Sequence, residues 1–292
     1  MASGVRAPGR FLLAAGLAAT MALPAASAIA AAAPAGVARY VALGDSFASV
    51  GTLTNIHLDP VGCARSKDNY PARLAARLKP KTFVDRTCGA ATTPDMTAPQ
   101  QVPLGVNPPQ FDSLTPDTDL VTLTIGGNDI GFAEIVLTCA TLSVTDPAGA
   151  PCKKHFTQDG DQLQRRIADL GPKLTKVLTG IKAKSPKARI AVVGYLRILP
   201  PSKGCWPLVP IAAGDVAYFE TVQAHLNTSI GGWAKAAGAT FVNPGLVTGH
   251  DVCQLPGTKW VEGLIPTSLS VPVHPNALGQ DYVGGLTADA LR

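Results

Sequence analysis

Short runs of β-branched and apolar residues alternate along this chain with segments whose apolar positions recur at helical spacing. Candidate strands cover Arg39 to Leu43, Thr82 to Arg86, Leu120 to Ile125, Arg189 to Val193 and Thr240 to Val242. The third reads Leu-Val-Thr-Leu-Thr-Ile between Asp119 and Gly126-Gly127, a β-rich stretch bounded by turn residues. Between the third and fourth, Leu163, Ile167, Leu170, Leu174, Val177, Leu178 and Ile181 mark one face of a helix. Pro172 falls inside that pattern and lacks an N–H, which predicts a kink or break near Gly171. Further helices are predicted from Asp215 through Trp233, from Asn69 to Leu78 and from Ala277 to Leu291.

Strand and helix alternating in this way imply an α/β fold, a parallel sheet with helices on both faces. The expected class is a doubly wound five-stranded sheet in the order 2-1-3-4-5, whose switch point lies beside strand 1. Gly and Pro gather in three long connections, Met96 to Pro116, Pro200 to Gly214 and Gly245 to Pro275. Connections of that length in a compact domain are functional or disordered.

The N-terminus changes the picture of where the domain starts. Arg6 and Arg10 precede an apolar run from Phe11 to Leu23, and Ala26-Ser27-Ala28 follows. A basic head, a short apolar middle and a small-residue cleavage site describe a secretory signal peptide. The run is shorter than the roughly 20 residues a spanning helix needs. Residues 1–33 are therefore expected to be signal peptide and Ala-rich leader, and 34–292 a single domain, exported and without a transmembrane anchor. The formal net charge of +5 falls to +3 once Arg6 and Arg10 are lost. The remaining basic residues are scattered, so no nucleic-acid partner is expected. Nothing suggests an oligomer, and a monomer is expected.

All six cysteines lie beyond the leader, and an even count in an exported chain reads as three disulfides. Their pairing is not determined by sequence. Sequential pairing is the working expectation: Cys63–Cys88, Cys139–Cys152 and Cys205–Cys253. Zinc is the rival use, but there is no C-x-x-C pair. No cofactor or metal is expected.

Candidate chemistry sits at the strand ends. Gly44-Asp45-Ser46 follows strand 1, Cys88-Gly89-Ala90-Ala91-Thr92-Thr93 follows strand 2, and Gly126-Gly127-Asn128-Asp129 follows strand 3. In the 2-1-3-4-5 order these three tips converge on one crevice. A hydroxyl, a turn of small residues with accessible N–H groups and a side-chain amide would meet there. Such a set resembles a nucleophile with an oxyanion hole. Asp129 is expected to be a helix N-cap. A serine nucleophile needs a base. Of His57, His155, His225, His250 and His274, the last two are the candidates; His274 precedes the final helix, where the chain can return over the sheet.

With these segments in view, the sequence resembles the GDSL, or SGNH, hydrolases, in particular their secreted actinobacterial lipase and esterase branch. Val41 to Ser46, Cys88 to Met96, Thr124 to Asp129 and His274-Pro275-Asn276 match in the family's order. The resemblance implies the flavodoxin-like SGNH fold, Ser46 as nucleophile and His274 as base. It also implies an oxyanion hole from Ser46, Asn128 and the 89–90 turn, three disulfides, and ester substrates. There are two departures. Ala90 stands where the family has Gly, so either Gly89 or Ala90 supplies the second N–H, Ala90 on condition of a negative φ. Val271 stands where the family has Asp, so a main-chain carbonyl near Ser270 or Val271 is expected to support His274, with Asp251 or Glu262 as the alternative. The apolar loop Trp206 to Ile211, with Trp206, Leu208 and Ile211, is a candidate wall of an acyl pocket. The expected activity is hydrolysis of carboxylic esters, fatty-acyl or lipid esters first. A carbohydrate acetylesterase and a non-catalytic binding module on the same fold are the alternatives.

Overall fold

The computed structural model describes Met1, Gly4 and residues 36–292; the expected leader at 1–33 otherwise lies outside the described residues. Among the described residues, seven strands and seven α-helices follow in order: β1 (Arg39–Gly44), α1 (Ser46–Ser49), α2 (Tyr70–Leu78), β2 (Thr82–Asp85), β3 (Gln100–Val102), β4 (Gly105–Asn107), β5 (Leu120–Thr124), α3 (Phe132–Thr145), α4 (Pro151–Thr157), α5 (Gln162–Lys184), β6 (Arg189–Val193), α6 (Val216–Ala236), β7 (Thr240–Val242) and α7 (Ala277–Ala290). Five of the strands form one parallel sheet ordered β2-β1-β5-β6-β7. Counting those five alone, this is the expected 2-1-3-4-5.

The alternation of side chains along β1 shows why its sequence is apolar throughout. Tyr40 and Ala42 pack with Leu74, Ala288 and Leu291, under α2 and α7. Val41 and Leu43 face the opposite way, into a larger core with Leu170 and Leu174 of α5 and Leu226 and Ile230 of α6. A strand covered on both faces has no solvent side, so periodicity of two disappears from its hydropathy. The edge strand β2 is only partly covered.

Three features go beyond the sequence reading, and the first excludes a break at Pro172. Helix α5 runs unbroken through Pro172. Pro172 and Ala168, the residue whose carbonyl loses its partner, are both exposed, so the missing bond falls on the solvent side of the helix, where it costs least. Gly171 is instead a packing position, where a Cβ would meet the Trp233 indole at 3.0 Å. The second surprise is α3 and α4, which the apolar pattern does not announce. Helix α3 carries apolar residues around its circumference, with Leu137 65% and Val144 66% exposed, so no single stripe stands out. Third, the connection 96–116 holds the antiparallel hairpin β3–β4.

All six cysteines are paired, Cys63–Cys88, Cys139–Cys152 and Cys205–Cys253. None is left as a thiolate for metal binding or nucleophilic attack.

Candidate active site

The end of β1 is built to expose one hydroxyl. Gly44 has φ +145°, and a Cβ there would lie 2.5 Å from the Thr124 carbonyl oxygen of β5. Glycine is therefore required where the chain leaves the sheet. Gln110 clamps the same residue, accepting from its N–H at 2.7 Å and donating to its carbonyl at 2.9 Å. Asp45 then caps α1, its Oδ1 accepting from the Phe47 N–H at 2.9 Å. Ser46 opens this short helical turn with its side chain half-buried, and its N–H has no acceptor among the described residues.

His274 arrives from the far end of the sequence. Its Nε2 lies 2.7 Å from Ser46 Oγ and its Nδ1 lies 2.7 Å from the Pro272 carbonyl oxygen. A carbonyl can only accept, so Nδ1 carries the proton and Nε2 presents its lone pair to the serine hydroxyl. Burial holds the imidazole pKa below its ordinary value, opposed by the bond to Pro272.

The supporting carbonyl is thus Pro272, not Ser270 or Val271. The reason is a tight turn: the His274 N–H donates to the Val271 carbonyl at 3.2 Å, and Val273 adopts a left-handed φ of +62°. That turn occupies the Val271 oxygen and swings the ring over the carbonyl two residues before it. Neither carboxylate takes this role. Asp251 accepts from the Cys253 N–H and Gln254. Glu262 accepts from Thr267, Ser268, Asn276 and Lys259. Burial pushes the Glu262 carboxyl up, but those donors prevail and hold it at about 2. Its backbone is paired with the His274 loop, through Glu262 N–H to the His274 carbonyl at 3.0 Å and Val273 N–H to the Glu262 carbonyl at 3.1 Å.

The second strand tip separates Gly89 from Ala90. The Gly89 N–H donates to the Cys63 carbonyl at 2.9 Å, across the Cys63–Cys88 disulfide, and the Ala91 N–H donates to Cys88 at 3.2 Å. Between them the Ala90 N–H has no acceptor among the described residues. Ala90 sits at φ +61° rather than at the negative φ expected. That left-handed conformation carries a strain that glycine would not.

At the third tip, Asn128 Nδ2 donates one hydrogen to the Ala91 carbonyl at 2.9 Å, which leaves its second for a ligand. Asp129 is not a helix cap. The turn continues to Gly131 before α3 begins, so the Asp129 carboxylate binds Thr93 instead, accepting from its N–H at 3.0 Å and its hydroxyl at 2.6 Å.

Sequence reasoning missed Tyr195, which follows β6. Its hydroxyl donates to Asp45 Oδ2 at 2.6 Å and accepts from the Gly127 N–H at 2.7 Å. One oxygen therefore ties the Ser46 turn to the Asn128 turn. Burial pushes the Asp45 carboxyl up to about 7, with the Tyr195 and Phe47 bonds opposing. The order 2-1-3-4-5 already placed the tip of strand 4 beside strand 3, and that was the available signal.

An apolar cleft opens from Ser46 and Asn128 between α3 and α6, lined by Phe132, Ile135, Phe219, Val222 and Leu226. The loop 206–211 does not form its wall. Trp206 is 40% and Leu208 79% exposed, while Ile211 turns inward to an adjoining cavity with Val209 and Val273. In that loop the alternation of directions sends 209 and 211 in and 208 out. His250 is committed elsewhere, stacked on Trp260 at 3.6 Å with Nδ1 on the Thr258 carbonyl. His225 bonds Gln164.

Comparison with known proteins adds the following. The model of the GDSL-like Lipase/Acylhydrolase family matches residues 42–282. Lipase 2 of Streptomyces coelicolor is 41% identical over 258 residues, spanning 86% of this chain and 85% of that protein. The solved structure of phospholipase A1 from Streptomyces albidoflavus superposes with a TM-score of 0.70 at 29% identity, covering 86% of this chain and 98% of that one. An extracellular lipase from Streptomyces rimosus superposes with a TM-score of 0.68 at 28% identity, covering 86% and 97%.

Proposed function

The chain belongs to the GDSL-like lipase/acylhydrolase family and hydrolyses carboxylic esters, and from that premise we propose that it does so through an acyl-enzyme on Ser46, acting outside the cell on fatty-acyl esters. The observation that carries the reading is the 2.7 Å contact between Ser46 Oγ and a His274 Nε2 whose tautomer is set by the Pro272 carbonyl.

In the first step His274 Nε2 takes the hydroxyl proton while Ser46 Oγ bonds to the ester carbonyl carbon. The negative charge that develops on the carbonyl oxygen is received by the N–H groups of Ser46 and Ala90 and by the free hydrogen of Asn128 Nδ2. Donors already oriented in a partly dry site need no rearrangement as charge develops. The imidazolium then gives its proton to the departing alcohol, and water, activated by the same imidazole, releases the acid. A carbonyl in place of an acidic partner orients the ring and accepts its N–H, but adds no full charge to steady the imidazolium. Preference for long acyl chains over acetyl follows from the apolar cleft beside Ser46. Export, with residues 1–33 as a signal peptide, is supported by the basic, apolar and small-residue order of that segment and by three disulfides.

A fluorophosphonate probe should label the protein at a single residue, and Ser46→Ala should abolish labelling and hydrolysis of p-nitrophenyl esters while leaving the thermal transition in place. Labelling that survives in Ser46→Ala would remove Ser46 from the mechanism.

A further inference from the structure

Three loops border the His274 side of the site, and none carries a formal charge over its central stretch: residues 204–214, 252–258 and 263–273. They adjoin one another. The Cys205–Cys253 disulfide joins the first two. Val209 and Ile211 line one cavity with Gly263, Leu264 and Val273, joining the first and third. Pro256 and Gly257 share a cavity wall with residues 267–270, joining the second and third. The inward side chains, Val209, Ile211, Leu264 and Val273, line the apolar cavity that adjoins the acyl pocket. The outward ones are large, apolar and open to solvent: Leu208 79%, Leu255 76%, Ile265 83% and Leu269 63% exposed, with Trp206 at 40%. Single exposed apolar residues are ordinary, but this number on three linked, uncharged loops marks a surface with a partner.

We infer that these loop tips seat the protein on the surface of a zwitterionic phospholipid membrane or aggregate. The inference rests on the ester-hydrolase reading above, because a lipid surface is where a long-chain ester is presented. Two observations select it. The first and third loops line one cavity with Val273, the neighbour of His274, so docking brings the substrate toward that cavity instead of covering an unrelated face. A second copy of the chain seated there would obstruct the same loops. Absence of charge within the three stretches favours neutral headgroups and apolar insertion over electrostatic attachment to anionic lipid. Trp206 at the edge of the patch suits the headgroup level.

The test uses Ser46→Ala protein, which cannot consume the lipid, sedimented with phosphatidylcholine vesicles. Burial of even one such side chain is worth about tenfold in partitioning, so Leu208→Asp with Ile265→Asp should lower vesicle binding by at least about that factor. Added salt should change it little. The same two substitutions in the active enzyme should leave hydrolysis of soluble p-nitrophenyl butyrate unaltered, which verifies the fold. Leu208→Trp should strengthen binding. Vesicle binding indifferent to all three substitutions, or a patch-dependent dimer that ignores vesicles, overturns the proposal. Failure of the ester reading shows separately, as absent hydrolysis of the soluble ester by the unsubstituted protein.

Discussion

Replacing Tyr195 by Phe removes one oxygen and tests whether two strand tips are held as a unit. The hydroxyl is buried and makes two bonds, to Asp45 at 2.6 Å and from Gly127 at 2.7 Å. A hydrogen bond to a charged group is worth about 1.5–3 kcal/mol, and an orphaned buried N–H costs about 1–3 kcal/mol. The expected loss of stability is thus about 3–5 kcal/mol where Asp45 is ionised, within what a domain of this size survives. The loss depends on pH. The Asp45 pKa is raised on folding, from 3.8 to about 7. Its contribution is therefore fully present below 3.8 and is lost as pH rises through 7. Removing the Tyr195 donor raises the folded pKa further, so the variant loses more stability above 7 than in mild acid. Urea unfolding on both sides of that value measures the difference. In kinetics the Asn128 turn loses its anchor, so kcat should fall by about one to two orders of magnitude, part of the cost of a missing oxyanion donor, with KM for a short soluble ester unchanged. If Tyr195→Phe keeps kcat within about twofold of the parent, a change worth under 1 kcal/mol, and its stability deficit is equal at both pH values, the coupling described here is wrong.

The remaining predictions concern the same crevice. Asn128→Ala should lower kcat by about a hundredfold or more, matching about 2.7–4 kcal/mol of lost oxyanion stabilisation; its one internal bond, to Ala91, is half-buried, so the thermal midpoint should hardly move, and a near-native rate removes Asn128 from the site. The pH profile of kcat/KM should have its acid limb below 6.5, since burial lowers the His274 pKa and the base works when neutral; an acid limb above 6.5 would contradict the burial argument. Val222→Trp should fill the cavity between α3 and α6 and cut kcat/KM for decanoyl esters at least about tenfold while sparing acetyl esters. Equal losses across chain lengths would place the acyl chain elsewhere.

Much of the architecture was legible. The five sheet strands were read to within a residue at either end because buried parallel strands are continuous apolar runs with turn residues at their borders. Ser46 and Asn128 were legible because strand order alone brings the tips of strands 1 and 3 together. His274 was separated from His250 by its place before the last helix and partly by resemblance, and only the fold shows His250 occupied by Trp260 and Thr258. Helix α3 was illegible for lack of a single apolar stripe, and with it went Phe132 and Ile135, which line the cleft beside Ser46. Trp206 and Leu208 were misread because an apolar loop residue does not announce which way it faces.

By itself, then, the chain determined which side chains were on offer and at which strand ends, since periodicity and residue type are local properties. The tertiary structure decided which main-chain groups stay free. Whether Gly89 or Ala90 can donate depends on the Cys63 carbonyl, 26 residues away and brought close by a disulfide. Whether an acid or a carbonyl steadies His274 depends on the turn that spends Val271 and on the donors that surround Glu262. Every residue but proline carries the same N–H and C=O, so only the folded arrangement distinguishes the few that remain unspent.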